Sequence, residues 1–391
     1  MPEELTITGE REIDASLRDV LEVIRQQAEA NHDAGTVLEP TRKAMQESGL
    51  LMCNTPKDYG GWGFGVVNKR PLEYWLIVRA VARADTSLGQ NFSVHSNQIE
   101  SLNALGNSAQ KKWIFGEVSM GSLLGAWASE RDAGGCAITR ADDGGYVING
   151  GKGFCTNAGL GNLSLLYSPP AEAKDDLSQL LILPVDMRDN GVLIDREWWD
   201  QSMAMRATSS HRVRFKDVRV AKDLLIGAPG AWPRGGHNIR ALCGFASNFL
   251  GTIEALFEAA RGAITKRGRM EDPSVVQRIA EVQKSIVTLD ALQRRTADAY
   301  IADVPEARQL STLFRWAAGE ELVRAIAHTT NLYGSMTMFK HNGVGQRILD
   351  ATMLVRHESN DRHADVIGRA ALNPAFDFKL RGIEWRDPHS T

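Results

Sequence analysis

His357 is followed directly by Glu358, in the stretch that runs from Arg347 through Asp350 to Asn360. Two chemistries compete for this dipeptide. A carboxylate there can take a proton from carbon. An imidazole there can move a proton on or off an oxygen or a peroxide, because its unperturbed pKa of ~6.5 lies near neutrality. Neighbouring residues on a helix diverge by about 100°, so one pocket receives only one of them directly. A positioned acid or base of this type is typically worth ~10²–10⁴ in rate.

The elements that position this pair follow from composition and periodicity. The chain has 391 residues, of which 43% are hydrophobic. A chain of this size buries roughly three quarters of its unfolded surface and tends to split into subdomains. Its net charge of −3, with both signs interspersed, gives no basic face for nucleic acid. The four cysteines, Cys53, Cys136, Cys155 and Cys243, form no C-x-x-C pair and fit no zinc spacing. No metal site is expected, and reduced thiols in the cytoplasm are. The N-terminus has no basic and apolar leader pattern, and no run of ~18 apolar residues exists. The expectation is a soluble, cytoplasmic protein. No Gly-x-Gly-x-x-Gly follows a strand, and Gly61-Trp-Gly63-Phe-Gly65 lacks the third glycine at the proper distance. A nicotinamide site is therefore not expected. Electrons must come from the substrate or from a partner that supplies reduced cofactor.

Along the chain, Ile13, Leu17, Leu21 and Ile24 fall on one helical face within 11–50. A glycine-rich turn at 58–63 ends this region. Helical spacing returns over 71–118, with a polar, capped stretch at Asp85-Thr86-Ser87. From about 123 to 225 the pattern is β-rich. Tyr146–Gly150 reads as a short strand ending in an Asn-Gly turn, 163–167 and 180–184 as buried strands, and 213–220 as a half-buried strand with an irregularity near Lys216-Asp217. Helical stripes resume at about 237. They continue after a start signal at Asp272-Pro273, over 306–333, and over 346–372 as a fourth helix. Four long amphipathic helices suggest a bundle. The expected organisation is α+β: an N-terminal helical domain (1–122), a middle β-barrel-like domain (123–228) and a C-terminal four-helix bundle (229–391).

Six motifs in this order resemble the acyl-CoA dehydrogenase superfamily over roughly residues 5–375. They are Glu47-Ser48-Gly49-Leu50 with Pro56-x-x-Tyr59-Gly60-Gly61; Arg83-Ala84-Asp85-Thr86-Ser87; Trp127-Ala128-Ser129-Glu130 through Gly134; Ile148-Asn149-Gly150 through Asn157-Ala158; Met203 through Ser209; and Val213 through Val218. The resemblance implies a flavin held between the β and helical domains. It places Trp127, Ser129, Phe154 and Thr156 at the ring, Arg267 on the phosphate side of the cofactor, and Asn360 in the segment that helps to hold it. A hydroxyl at flavin N5 and an apolar face beside the ring are what such a site needs.

Aligned to the dehydrogenases, Glu358 falls on their catalytic glutamate and His357 on a tyrosine. The following Gly-Thr is replaced by Ser359-Asn360, and the family's glycine-rich stretch is degraded to Tyr333-Gly334-Ser335-Met336-Thr337. A histidine followed by an acid, with Ile367-Gly368 and Leu372-Asn373 beyond, resembles the two-component flavin monooxygenases built on the same fold, such as the dibenzothiophene and alkanesulfinate monooxygenases. These take reduced FMN or FAD from a separate NAD(P)H-flavin reductase and form a flavin hydroperoxide with oxygen. The resemblance implies His357 as the proton-handling group, His95 as a group that orients substrate or peroxide, Thr156 as an assisting hydroxyl and Glu358 as support for His357. Trp198, Trp199, Met203 and Met205, with Asn97 beside His95, are the candidate substrate contacts. The implied reaction inserts one oxygen atom into a small apolar aromatic, organosulfur or amine substrate, in a homotetramer. The alternative is an FAD-dependent acyl-CoA dehydrogenase with Glu358 as the α-proton base.

Overall fold

The computed structural model describes residues 15, 17–339, 343–357, 360–373 and 376. Ile13 and Glu358 lie outside the described residues. The N-terminal helices are α1 (Arg18–Ala34), α2 (Glu39–Glu47), α3 (Pro71–Ala84), α4 (Thr86–Leu105) and α5 (Ser108–Ser119). Leu17, Leu21 and Ile24 are buried, as a helical stripe requires. Asp85 caps α4 by accepting the N–H groups of Ser87 at 2.8 Å and Leu88 at 3.2 Å. Helix α4 is buried along nearly its whole length although it is rich in Gln, Asn, Ser, His and Glu. Buried polar groups persist only with partners, so this helix is where those partners have to be found.

The middle of the chain forms two sheets. One has strand order β1 (Gly125–Trp127), β4 (Leu163–Ser168), β5 (Leu181–Asp186), with β1 and β4 parallel. The other has order β2 (Cys136–Arg140), β3 (Tyr146–Cys155), β7 (His211–Val220), β6 (Val192–Asp195), all antiparallel. Ile138, Ile148, Leu166, Leu183, Val213 and Phe215 share their core. The Asn-Gly dipeptide does not end β3 in a turn, contrary to the sequence expectation. It is a bulge: the register shifts between Ile148 and Gly150, Gly150 takes φ +96°, and Asn149 exchanges hydrogen bonds with Asp217 of β7. The irregularity expected at Lys216-Asp217 is the other side of this bulge.

The C-terminal bundle consists of α7 (His237–Lys266), α8 (Pro273–Ile301), α9 (Glu306–Tyr333), α10 (Val344–Leu354) and α11 (Asn360–Leu372); a short helix, α6 (Arg196–Asp200), precedes β7. Helices α3 and α7 cross at Gly251, where any Cβ would lie 2.1 Å from the Arg79 carbonyl oxygen. Arg79, itself buried, bonds Glu254 of α7 and Asp290 of α8, which ties the N-terminal helices to the bundle. Removing one partner from such a buried group typically costs ~3–5 kcal/mol.

The single helix expected over 346–372 is broken, and His357 stands in a bend between α10 and α11. Asn360 explains the break. It seats on α9 against Gly319, accepts from Arg315 Nη1 at 3.0 Å and donates to Glu320 at 3.3 Å, so α11 starts in a direction set by α9. All four cysteines are free and buried. Among the described residues no helix is long and apolar enough to cross a membrane.

Candidate active site

Beyond the bulge, the end of β3 alternates. Cys155 faces the β core, whereas Phe154 packs against the helical core on the other side. Phe154 has φ +53°, a region that bulky residues avoid. Its ring meets Trp198 edge-on at 5.1 Å and Trp199 at 6.0 Å, a favoured aromatic geometry. Both tryptophans ride on α6, which Asp195 caps at Trp198 N–H while also holding Arg212. Trp199 donates its indole N–H to the Arg206 carbonyl at 3.1 Å. The result is a fixed aromatic wall beside Thr156.

Thr156 lies one step past the last β3–β7 pair, Cys155 with His211, and so faces Ser210. Three hydroxyls form a row. Thr156 Oγ1 is 2.8 Å from Ser210 Oγ, Ser210 Oγ is 2.7 Å from Thr208 Oγ1, and Thr208 Oγ1 donates to the Met205 carbonyl at 2.7 Å. Two buried side-chain carbonyls nearby in sequence and contact, Asn157 Oδ1 and Asn91 Oδ1, have no protein donor. Asn157 donates to the Asn91 carbonyl at 3.0 Å, which joins this region to α4. A flat aromatic wall, an acceptor hydroxyl and unsatisfied carbonyls fit a planar ring with N–H groups on its edge, as the isoalloxazine of a flavin is.

Met205, held in the left-handed region at φ +54°, links this row to the bundle. Its carbonyl receives Thr208 and its N–H donates to Asp350 of α10 at 2.6 Å. Gln346 of the same helix reaches both Asp350 and the Met203 carbonyl. Burial pushes the Asp350 carboxyl up to about 7, with neighbouring Asp85 adding to the rise against the bonds from Met205 and Gln346. Helix α10 leads directly to His357, whose ring lies 4.8 Å from that of Phe245 on α7.

Several expected site residues are placed elsewhere. His95 is fully buried, with Nε2 bonded to the Leu51 carbonyl at 2.9 Å and Nδ1 accepting from Leu124 N–H at 3.0 Å. Its expected role in orienting substrate is corrected: both ring nitrogens are spent on backbone. Burial pushes its pKa down to about 4. The Trp127 side chain sits in the β core, 6.2 Å from Phe215. Asn360 is the α9 anchor described above, with its Oδ1 on Arg315 and its Nδ2 on Glu320. Asn97 accepts from Tyr74 at 2.9 Å and lines a separate small cavity with Glu100, Ser101 and Arg240. Met203 is 76% exposed. Ser129 is exposed on the loop after β1, its carbonyl accepting Gly153 N–H at 2.9 Å, one residue from Phe154. Arg267 is exposed at the end of α7, its guanidinium 5.7 Å over Tyr333.

The structure thus groups Phe154, Thr156, Trp199 and Met205, and joins them through Asp350 to α10, which ends three residues before His357. Sequence reasoning missed Thr208, Ser210 and Phe245. The run Thr208-Ser209-Ser210 before a strand was the available signal, but it is readable only once β7 is known to pair with β3.

The family described as "Acyl-CoA dehydrogenase, N-terminal domain" matches residues 9–121. The butyryl-CoA dehydrogenase of Megasphaera elsdenii superposes with a TM-score of 0.81 at 18% identity, covering 93% of this chain and 98% of that one. The protein has the acyl-CoA dehydrogenase fold. Within that fold, TdsC of Paenibacillus sp. A11-2, a dibenzothiophene monooxygenase solved with FMN and indole, superposes with a TM-score of 0.80 at 23% identity, covering 94% and 98%. The two scores are equal within rounding, so shape alone does not separate oxygenase from dehydrogenase. In sequence, the dibenzothiophene monooxygenase of Rhodococcus qingshengii is 26% identical over 378 residues, covering 93% of this chain and 86% of the relative.

Proposed function

We propose that the protein is the oxygenase of a two-component flavin-dependent monooxygenase. It takes reduced FMN from a separate NAD(P)H-flavin reductase and inserts one atom of O2 into a small, apolar aromatic, organosulfur or amine substrate; the other atom leaves as water. Reduced FMN, when bound, supplies the two electrons that activate oxygen. The chain's own residues do the rest. Phe154, Trp198 and Trp199 form the apolar wall against which flat rings stack and from which water is kept. Thr156 and Ser129 hold the ring edge, and Arg267 the phosphate side. His357 holds the proton that the departing oxygen takes.

The observation that carries this reading is the position of His357, off both flanking helices and against Phe245, at the end of the helix that anchors the Thr156 row. The named oxygenase relatives, including one solved with FMN, support it. A homotetrameric assembly is part of this reading by resemblance, and four buried free thiols suit a reducing cytoplasm.

The test mixes anaerobic protein with reduced FMN, adds oxygen and follows near-ultraviolet absorbance. The wild type should give a long-lived band before oxidised flavin appears. His357→Ala should lose product and release hydrogen peroxide, while Glu358→Gln keeps product formation. Immediate reoxidation in the wild type, together with an inactive Glu358→Gln that no longer oxidises acyl-CoA, returns the protein to the dehydrogenases.

A further inference from the structure

The three hydroxyls beside the aromatic wall have a direction. A carbonyl only accepts, so the 2.7 Å contact between Thr208 Oγ1 and the Met205 carbonyl uses the single Thr208 proton. Ser210, 2.7 Å from Thr208, must then donate to it. Ser210 has one proton, so Thr156, at 2.8 Å, must donate to Ser210. The Thr156 proton is then used on Ser210, and Thr156 Oγ1 has only a lone pair left to offer. Thr156 is 7% exposed, and a ligand that reaches Oγ1 would meet an acceptor there.

We propose that Thr208 and Ser210 are specificity-determining positioning residues that make Thr156 an acceptor, and that the site thereby selects reduced over oxidised flavin. This rests on the reading that the flavin ring lies at Thr156. Reduced flavin carries a hydrogen on N5 and donates; oxidised flavin has only a lone pair there and needs a donor. To serve oxidised flavin, Thr156 must turn its proton away from Ser210 or the row must reverse and give up the Thr208 bond to Met205; either way one hydrogen bond is lost. One net hydrogen bond is worth ~0.5–1.5 kcal/mol, so the preference is on the order of tenfold.

The experiment measures dissociation constants for oxidised FMN and, anaerobically, for reduced FMN, together with the midpoint potential of the bound flavin. Ser210→Ala and Thr208→Val should each lower the ratio of oxidised to reduced dissociation constants about tenfold, which lowers the two-electron potential by about 30 mV. Thr208→Ser keeps the row and should keep both values, which a merely structural role does not predict for the pair of Thr208 variants. Thr156→Val should weaken reduced FMN. If Thr156→Val weakens binding but the ratio is unchanged in Ser210→Ala and Thr208→Val, the direction of the row is irrelevant and the proposal falls. If Thr156→Val alters neither affinity, the flavin does not lie there and the underlying site reading falls with it.

Discussion

His95 and Thr156 show what residue identity reveals and what it conceals. The resemblance implies a role at the reacting centre for both. The side chains differ in what their partners leave over. Thr156 Oγ1 has one side-chain partner and keeps a lone pair, whereas both nitrogens of His95 are bonded to backbone that joins Leu51 to Leu124. No spacing rule distinguishes these cases, because the partners are distant in sequence. His95→Ala should therefore lower stability by about 2–4 kcal/mol at pH 7.5, since it leaves a buried carbonyl and a buried N–H unpaired. Its pKa is about 4 in the folded state against ~6.5 unfolded. The folded form cannot take up the proton that the unfolded form gains, so stability present above pH 6.5 is lost as pH falls towards 4. Urea unfolding at pH 7.5 and pH 5 should show this loss in the wild type and a flatter response in His95→Ala. A variant as stable as the wild type but unable to turn over would restore a substrate role for this ring.

At the scale of elements, α10 is the piece that sequence periodicity mis-drew. An apolar stripe reads through 346–372, but Asn360 is seated on Gly319 of another helix, and that tertiary contact ends α10 near Leu354. The break frees His357 from helical geometry, so the 100° argument applied to a helix that is not there. The Asn-Gly dipeptide in β3 likewise became a bulge because Asp217 was available across the strand pair. Helix α10 is held to the loop before β7 through Asp350. The folded pKa of Asp350 is about 7 against ~3.9 for an unfolded carboxyl. Here the unfolded state ionises first, so stability present below pH 3.9 declines as pH rises towards 7 and stays reduced above it. Asp350→Asn keeps an oxygen for the Met205 N–H and removes the ionisation. Its melting temperature should exceed that of the wild type by more at pH 8 than at pH 4.5, measured by calorimetry. Equal shifts at both values would mean that Asp350 does not titrate in this window.

For the whole molecule, the order of helices, strands and bundle was legible, because six motifs and the switch of period from 3.6 to 2 survive at low identity. The candidate site was legible only in part. Phe154 and Thr156 carry motif signals, while Ser210 and Phe245 reach the site through strand pairing and helix packing that no local pattern encodes. The burial of all four cysteines has a consequence for how such a protein ages. An oxygen-activating centre leaks oxidant, and its own side chains are the nearest targets. Burial raises the pKa of every thiol, Cys53 and Cys155 most strongly, and keeps them as unreactive SH groups. Methionine needs no ionisation to be oxidised, and Met203 stands 76% exposed two residues from the Met205 peptide. Under dilute hydrogen peroxide, peptide mass spectrometry should find Met203, with exposed Met120 and Met338, gaining oxygen while a sulfenic-acid trap finds no cysteine labelled. Early labelling of any cysteine would contradict this. The wear of the protein would then begin at a thioether beside its working surface, and a methionine sulfoxide reductase would be able to reverse it.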